Sequence, residues 1–341
     1  SDMAKLAQFM MSDGMLGGRE IVRADLLRQM GHVTGTAAAR VGLDSGYGLG
    51  LQERDREGRI GFCHQGDTFG YHALLCVYPA ENKAFFIALN NDGDGVNLQR
   101  FHKIMIEGLN PRKVQPTASA PAMPELRSWE GYYVPLVTRF AIERYTDLLE
   151  GGVELARNGD HLVFTRSGKP PLELYPLDEH RLRAADRASA SHVLFEQNGV
   201  RILSDGQRSY RKASKWLNHA MWLNLWAGLA GIAYILLALP VLALKRHRGI
   251  CEPAFWGVFS VVPAGLLMYN LHLSQWGDMS LASVALAIAS VLIPVGALLQ
   301  IVRAWKRKFR MWKWDVAASL CVIQWMAVLG YFGLVPLRVW A

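Results

Sequence analysis

The sequence predicts an α+β chain in three parts: an antiparallel sheet flanked by helices, a small all-β unit, and four membrane-spanning helices. Three observations carry this. Short β-rich runs between Tyr47 and Asn91 are separated by turn-forming clusters, four X-Gly turns punctuate the stretch from Asn158 to Gly206, and four long apolar runs fill the last third. The expected boundaries are 1–110, a linker at 111–126, a β unit at 127–213 and a helical unit at 214–341.

Residues 1 to 30 read as helical, because Met3, Leu6, Ala7, Met10 and Met11 recur at helical spacing and Ala24 to Met30 follows the Gly17-Gly18 break. The strand meander comes next, with clusters at Glu53 to Gly58 and Pro79 to Lys83 predicting hairpins between consecutive strands. Asp94 to Leu109 then forms a helix whose Phe101, Ile104, Met105 and Leu109 supply an apolar face for the sheet.

Within the meander, Tyr47-Gly-Leu-Gly-Leu51 is followed by His64-Gln-Gly-Asp-Thr-Phe-Gly-Tyr71, two further strands and Asn90-Asn91. Gly66 and Gly70 remove side chains where something approaches the backbone closely. This region resembles the C-terminal part of the β-lactamase-related serine hydrolases, the penicillin-recognising group that includes esterases and D-amino-acid peptidases. The resemblance aligns His64-Gln65-Gly66 with the family's H-x-G or K-T-G motif on a cleft-lining strand and covers residues 1 to 110. It implies that His64 points into the cleft and that the backbone N–H of Asp67 faces the scissile carbonyl oxygen, a preorganised donor of the kind that stabilises developing oxyanion charge. Gln65, Gly70 and Tyr71 would border the substrate, an ester, amide or peptide, and no cofactor is implied. His in place of Lys lowers the reference pKa from about 10.4 to about 6.5, which weakens the case for a substrate carboxylate such as penicillin's.

The family's nucleophile lies in an upstream S-x-x-K motif, and no match precedes Tyr47. The chain therefore reads as the downstream portion of a longer protein. Ser209-Tyr-Arg-Lys212 is formally S-x-x-K, but it falls on an expected strand, where residues three apart face opposite sides, and it reads as coincidence. Cys63 and Cys76 flank the hairpin on the face away from His64 and read as two small core residues, a disulfide being the alternative. The ten histidines show no metal-ligand spacing beyond His64 and His72, so no metal is expected.

Four prolines between Pro111 and Pro124, amid Ser, Thr and Ala, mark a linker. Beyond it, Asn158-Gly159, Ser167-Gly168, Asn198-Gly199 and Asp205-Gly206 favour tight hairpins and predict a meander forming a small open or closed barrel.

The apolar runs, about 220–244, 254–274, 281–302 and 316–337, each reach the roughly 20 residues a spanning helix needs and contain no Asp, Glu, Lys or Arg. Asn224, Asn270, His272 and Gln324 are their polar members, suited to interhelical hydrogen bonds, and the lack of an acid or base argues against proton coupling. Lys245 to Arg248 and the six Lys or Arg between Arg303 and Lys313 make two basic loops, nine cations against five on the other side, which puts residues 1–215 outside the cytoplasm. Much of the net charge of +8 lies in those loops, interleaved with Trp305, Phe309, Trp312 and Trp314. That pattern points to membrane lipid as partner and away from nucleic acid. The function expected is a membrane-anchored extracytoplasmic serine hydrolase, the alternative being a non-catalytic sensor with a degenerate hydrolase domain.

Overall fold

The structure, a computed structural model, describes residues 2–68, 70–91, 98–120, 124–137, 143–244, 252–272, 275–308 and 311–340. Phe69, the 94–97 start of the expected helix, the basic segment Lys245 to Arg248, Cys251 and Phe309 lie outside these residues. Contacts divide the chain into two compact units, residues 1–137 with 152–214, and residues 138–151 with 215–341.

The first unit begins with α1 (Asp2–Met11), the two-residue strands β1 (Met15–Leu16) and β2 (Arg19–Glu20), α2 (Ala24–Gln29) and α3 (Ala37–Arg40). The Thr36 side chain caps α3 by accepting from the N–H of Ala39 at 3.0 Å. Five strands follow: β3 (Gly46–Tyr47), β4 (Gln52–Arg56), β5 (Arg59–Thr68), β6 (Tyr71–Tyr78) and β7 (Lys83–Leu89), paired antiparallel in that order. Glu57 and Gly58, both with positive φ, turn β4 into β5 as a two-residue hairpin must.

The sheet is sandwiched. Leu75 and Val77 pack with Ala7 of α1 on one face. On the other, Leu74, Cys76, Tyr78 and Phe85 meet Ile106 of α4 (Leu98–Leu109). The alternation along β6 is the period of two that a strand buried on both faces requires. Cys63 and Cys76 are direct cross-strand partners on the α4 face and are joined as a disulfide. The expectation of two unlinked core thiols is thereby corrected, the register bringing their Cα atoms to 4.1 Å.

The segment from Pro111 is laid across the unit by backbone bonds from Val114 to Gly58, Thr117 to Ala188 and Ala120 to Pro176. It leads to a 3-10 turn (Pro124–Trp129) and a closed eight-stranded antiparallel barrel: β8 (Gly131–Pro135), β9 (Val153–Asn158), β10 (His161–Arg166), β11 (Leu172–Pro176), β12 (Arg181–Ala184), β13 (His192–Gln197), β14 (Val200–Ser204) and β15 (Ser209–Ala213). All four X-Gly pairs fall at its hairpin turns. Its interior is filled by Tyr133, Leu155, Leu162, Leu174, Leu194, Leu203 and Tyr210, the solid core expected of a barrel this narrow.

The second unit takes α5 (Glu143–Glu150), inserted between β8 and β9, and adds α6 (Lys215–Leu244), α7 (Pro253–Phe259), α8 (Val261–Tyr269), α9 (Leu281–Arg307) and α10 (Trp312–Tyr331). The Asn218 amide donates to the Leu148 and Leu149 carbonyls at 2.9 Å, closing the end of α5. Three helices are long and apolar enough to cross a membrane, and Pro253–Tyr269 is a shorter apolar pair. Pro263 has no N–H to offer the Phe259 carbonyl, so the ladder breaks at Ser260. Small residues set the crossings. A side chain on Gly257 would meet the Leu292 carbonyl at 2.6 Å, and one on Gly296 the Pro253 carbonyl at 2.6 Å.

Asn224 and Gln324 hydrogen-bond between α6 and α10, as expected of polar residues in such runs. Two acids just outside the apolar runs are nevertheless buried in this unit. Glu252 accepts from the Gln300 amide at 2.7 Å with Arg303 at 3.9 Å, and Asp315 accepts from Tyr234 at 2.8 Å.

Candidate functional site

Strand β5 is ten residues long and β4 only five, and this mismatch creates the site. β4 begins only at Gln52, opposite Cys63, while β5 continues to Thr68, which pairs with Tyr71 of β6. In a hairpin closed by a two-residue loop, the pair flanking the loop exchanges both bonds and the pattern alternates from there. Thr68, Gly66 and His64 therefore bond toward β6. The backbone groups of Gln65 and Asp67 point to the opposite edge, where no strand pairs with them among the described residues.

Side-chain direction follows the same alternation. His64, Gly66, Thr68 and Tyr71 share the face that packs on α1 further down the sheet, and Tyr71 is 61% exposed. His64 Nδ1 lies 2.7 Å from the carbonyl of Gly50. A carbonyl oxygen can only accept, so Nδ1 carries the proton and the neutral ring leaves its Nε2 lone pair for an external group. Gly50 reaches that position with φ of 96°, a conformation that favours glycine.

The two glycines of the motif differ in kind. Gly70 has φ of 79° and is explained by the turn. Gly66 has no such demand, and a Cβ there would meet only Ala73 Cβ at 4.0 Å. Among the described residues, nothing needs the bare backbone at Gly66.

Gln65 and Asp67 send their side chains to the other face. The Gln65 amide donates to Asp67 at 2.7 Å and accepts from Arg54 at 2.8 Å, Arg54 also donates to Gln52 at 2.9 Å, and Asp67 lies 2.8 Å from His72 Nδ1. The structure thus gathers His64, Gly66 and Tyr71 on one face and commits the Gln65 and Asp67 side chains to a hydrogen-bonded chain on the other. Only their backbone groups border the open edge.

No protein-family model matches the chain, and no curated protein matches it. Two solved structures of SurE, one with D-Leu, are similar over 62% of this chain at 15% identity and a TM-score of 0.34. They are covered over 49% and 48% of their own length, so the chain spans about half of the solved structures it matches. A likeness at that level assigns neither family nor activity.

Sequence reasoning missed the surroundings of His64. A cavity of about 440 Å³ lies on the same face, lined by Met10, Leu27, Leu51, Phe62 and Val77, with His32 among its polar groups. His64 does not line it. His32 stands edge-on to Phe62, and its Nδ1 is 3.6 Å from the carboxylate of Glu53. Burial, with Asp44 and Asp55 nearby, pushes the Glu53 carboxyl up to about 7. The signal for this pair was present only as a charged residue on the buried face of a strand.

Cys63, Cys76 and His102 are the one group among the described residues with metal-ligand proximity, all within 4.8 Å. The sulfurs are bonded to each other, so this group offers no thiolate while oxidised. Ser209 and Lys212 diverge, the hydroxyl donating to Ser204 at 3.1 Å and the ammonium to the Ser128 carbonyl at 2.8 Å.

Proposed function

We propose that this chain is the C-terminal portion of a membrane-anchored, extracytoplasmic serine hydrolase related to the β-lactamases, acting on an ester, amide or peptide through an acyl-enzyme. The observation that carries the reading is the free edge of β5. Its Asp67 N–H is directed away from β6, His64 stands on the same strand with Nδ1 fixed to the Gly50 carbonyl, and Gly66 carries no side chain between them. Donors of this kind act on the oxygen that gains charge during acyl transfer. The α1–sheet–α4 sandwich agrees with the same relationship.

The helices serve as the anchor, with exposed Leu223, Leu237 and Leu281 facing lipid. Pro253–Tyr269 completes a fourth span. Its 17 residues reach about 25 Å at ~1.5 Å per residue, close to the ~30 Å hydrocarbon core. The two positively charged loops of the sequence support an outer side for the sheet and barrel. A non-catalytic sensor is the second reading, favoured by the absence of a credible nucleophile in this chain.

The test uses the longer parent protein and a small ester. Losing one oxyanion donor costs about 2.7 to 4 kcal/mol, a hundredfold to a thousandfold in turnover. Gly66→Val should lower turnover at least as much as His64→Ala while the protein stays folded, since a Cβ at Gly66 meets only Ala73 Cβ, at 4.0 Å, among the described residues. Turnover within about twofold of the parent for both variants would remove the enzyme reading.

A further inference from the structure

We propose that the cavity between β4 and the barrel is a binding site for a small oxyanion, held by Arg54, Arg56 and Arg187. The cavity is about 210 Å³ and none of His64 to Tyr71 lines it, so it is separate from the β5 edge. Its volume falls below the roughly 300–1,000 Å³ of sites for drug-sized ligands and suits a phosphate or a short carboxylate.

Two of the three cations, Arg54 and Arg56, have no carboxylate partner among the described residues. Arg54 donates only to the neutral amide oxygens of Gln52 and Gln65. Arg56 has its Nε buried without a hydrogen-bond partner, and no carboxylate lies within ion-pair distance of it among the described residues. Burial, then the neighbouring charges of Arg187 and Arg54, push the Arg56 guanidinium down to about 10. Asp186 and Asp55 pull the other way, and the guanidinium stays below its usual range nonetheless.

The carboxylates in and beside this space have partners of their own, and one of them, Asp186, already pairs with Arg187. Asp55 accepts the N–H groups of Gly58, Ala188 and Ser189. Asp205 accepts those of Gln207 and Arg208, and Asp186 pairs with Arg187 at 3.2 Å. Glu53 has its carboxyl raised to about 7 and lies beside His32. Across the cavity, Ser191 accepts the Ala184 N–H at 2.9 Å, and its hydroxyl lies 2.9 Å from His192 Nδ1. A planar guanidinium fork is the side chain best matched to two oxygens of one anion, and charge-assisted bonds to it are about twice as strong as neutral ones.

The test uses the 341-residue chain in detergent, titrated with sodium phosphate or sodium succinate at constant ionic strength set by chloride. Thermal unfolding and isothermal titration are both read. One of the two oxyanions should raise the melting temperature saturably where chloride does not, phosphate marking a tetrahedral site and succinate a carboxylate site. Arg56→Gln should weaken that anion at least tenfold and should raise the melting temperature in chloride alone, because it relieves repulsion. Arg56→Lys should bind with intermediate affinity. The proposal is overturned if neither oxyanion differs from chloride, if Arg56→Gln responds as the wild type does, or if Arg56→Gln melts lower in chloride, as loss of a structural arginine would cause.

Discussion

Replacing Glu53 by Gln should stabilise the protein above neutral pH and leave it unchanged in acid. The Glu53 side chain is 12% exposed, and burial followed by Asp44 and Asp55 raises its carboxyl from 4.5 to about 7. The folded state therefore holds its proton more tightly than the unfolded chain. Between pH 4.5 and 7 the unfolded chain has released that proton and the folded protein has not, so stability falls as pH rises through this window. The rise from 4.5 to about 7 corresponds to about 3 kcal/mol, a tenfold change in proton affinity being ~1.36 kcal/mol, all of it felt above pH 7. Gln cannot ionise and retains an oxygen acceptor. At ~2–4 °C per kcal/mol for a unit of roughly 200 residues, Glu53→Gln should melt about 6–12 °C higher at pH 8. His102 and His192 act in the opposite sense, burial pushing both imidazoles down to about 4. Their contribution is complete above pH 6.5 and lost as pH falls toward 4, which masks Glu53 in the wild-type profile alone. Melting curves of both proteins from pH 4 to 8.5, followed by circular dichroism, cancel the histidines in the difference. A difference that is negative at pH 8, or that does not change between pH 4.5 and 7, would refute the reasoning.

Two further outcomes follow from other parts of the structure. Asp55→Ala strands the N–H groups of Gly58, Ala188 and Ser189 and should cost about 3–9 kcal/mol in urea unfolding, at ~1–3 kcal/mol for each group left without an acceptor, with Asp55→Asn costing less; a loss under about 0.5 kcal/mol would mean the carboxylate is not what joins β4 to the barrel. Reporters fused after Lys212, Asp278 and Ala341 should behave as external and those after Arg248 and Arg310 as cytoplasmic; the inverse pattern would reverse the proposed sidedness.

Much of the β architecture was legible because turn chemistry is local. Asn198-Gly199 shows positive φ at both residues, the geometry its sequence predicts for a two-residue hairpin. Barrel closure was not legible, since it rests on β8 pairing with β15 some 75 residues later, with Tyr133 opposite Lys212. The disulfide was within reach. Once the turn is set at Phe69-Gly70, counting back from Thr68 and forward from Tyr71 places Cys63 against Cys76. The break at Ser260 was foreshadowed by Pro263, whereas Glu252 and Asp315 escaped because apolar runs were ended at the first charge. At the candidate site, His64, Gly66 and Tyr71 could be placed on one face by parity alone. The Gly50 carbonyl that orients the imidazole could not, because its position depends on a four-residue turn and not on strand period.

The bond between Cys63 and Cys76 has a bearing on His64 beyond holding the hairpin together. From His64 to Thr68 every residue is polar or glycine, and four of these five positions are exposed, so hydrophobic patterning supplies almost no penalty against a slipped alignment there. A slip by one position would turn His64 toward α4 and present Gln65 in its place. The covalent link sits immediately next to this ambiguous stretch, at a fully buried pair whose alignment is unequivocal. Oxidation therefore acts as a proofreading step. It can close only when the correct residues face each other, and once closed it hands a fixed alignment to the segment that could not specify its own.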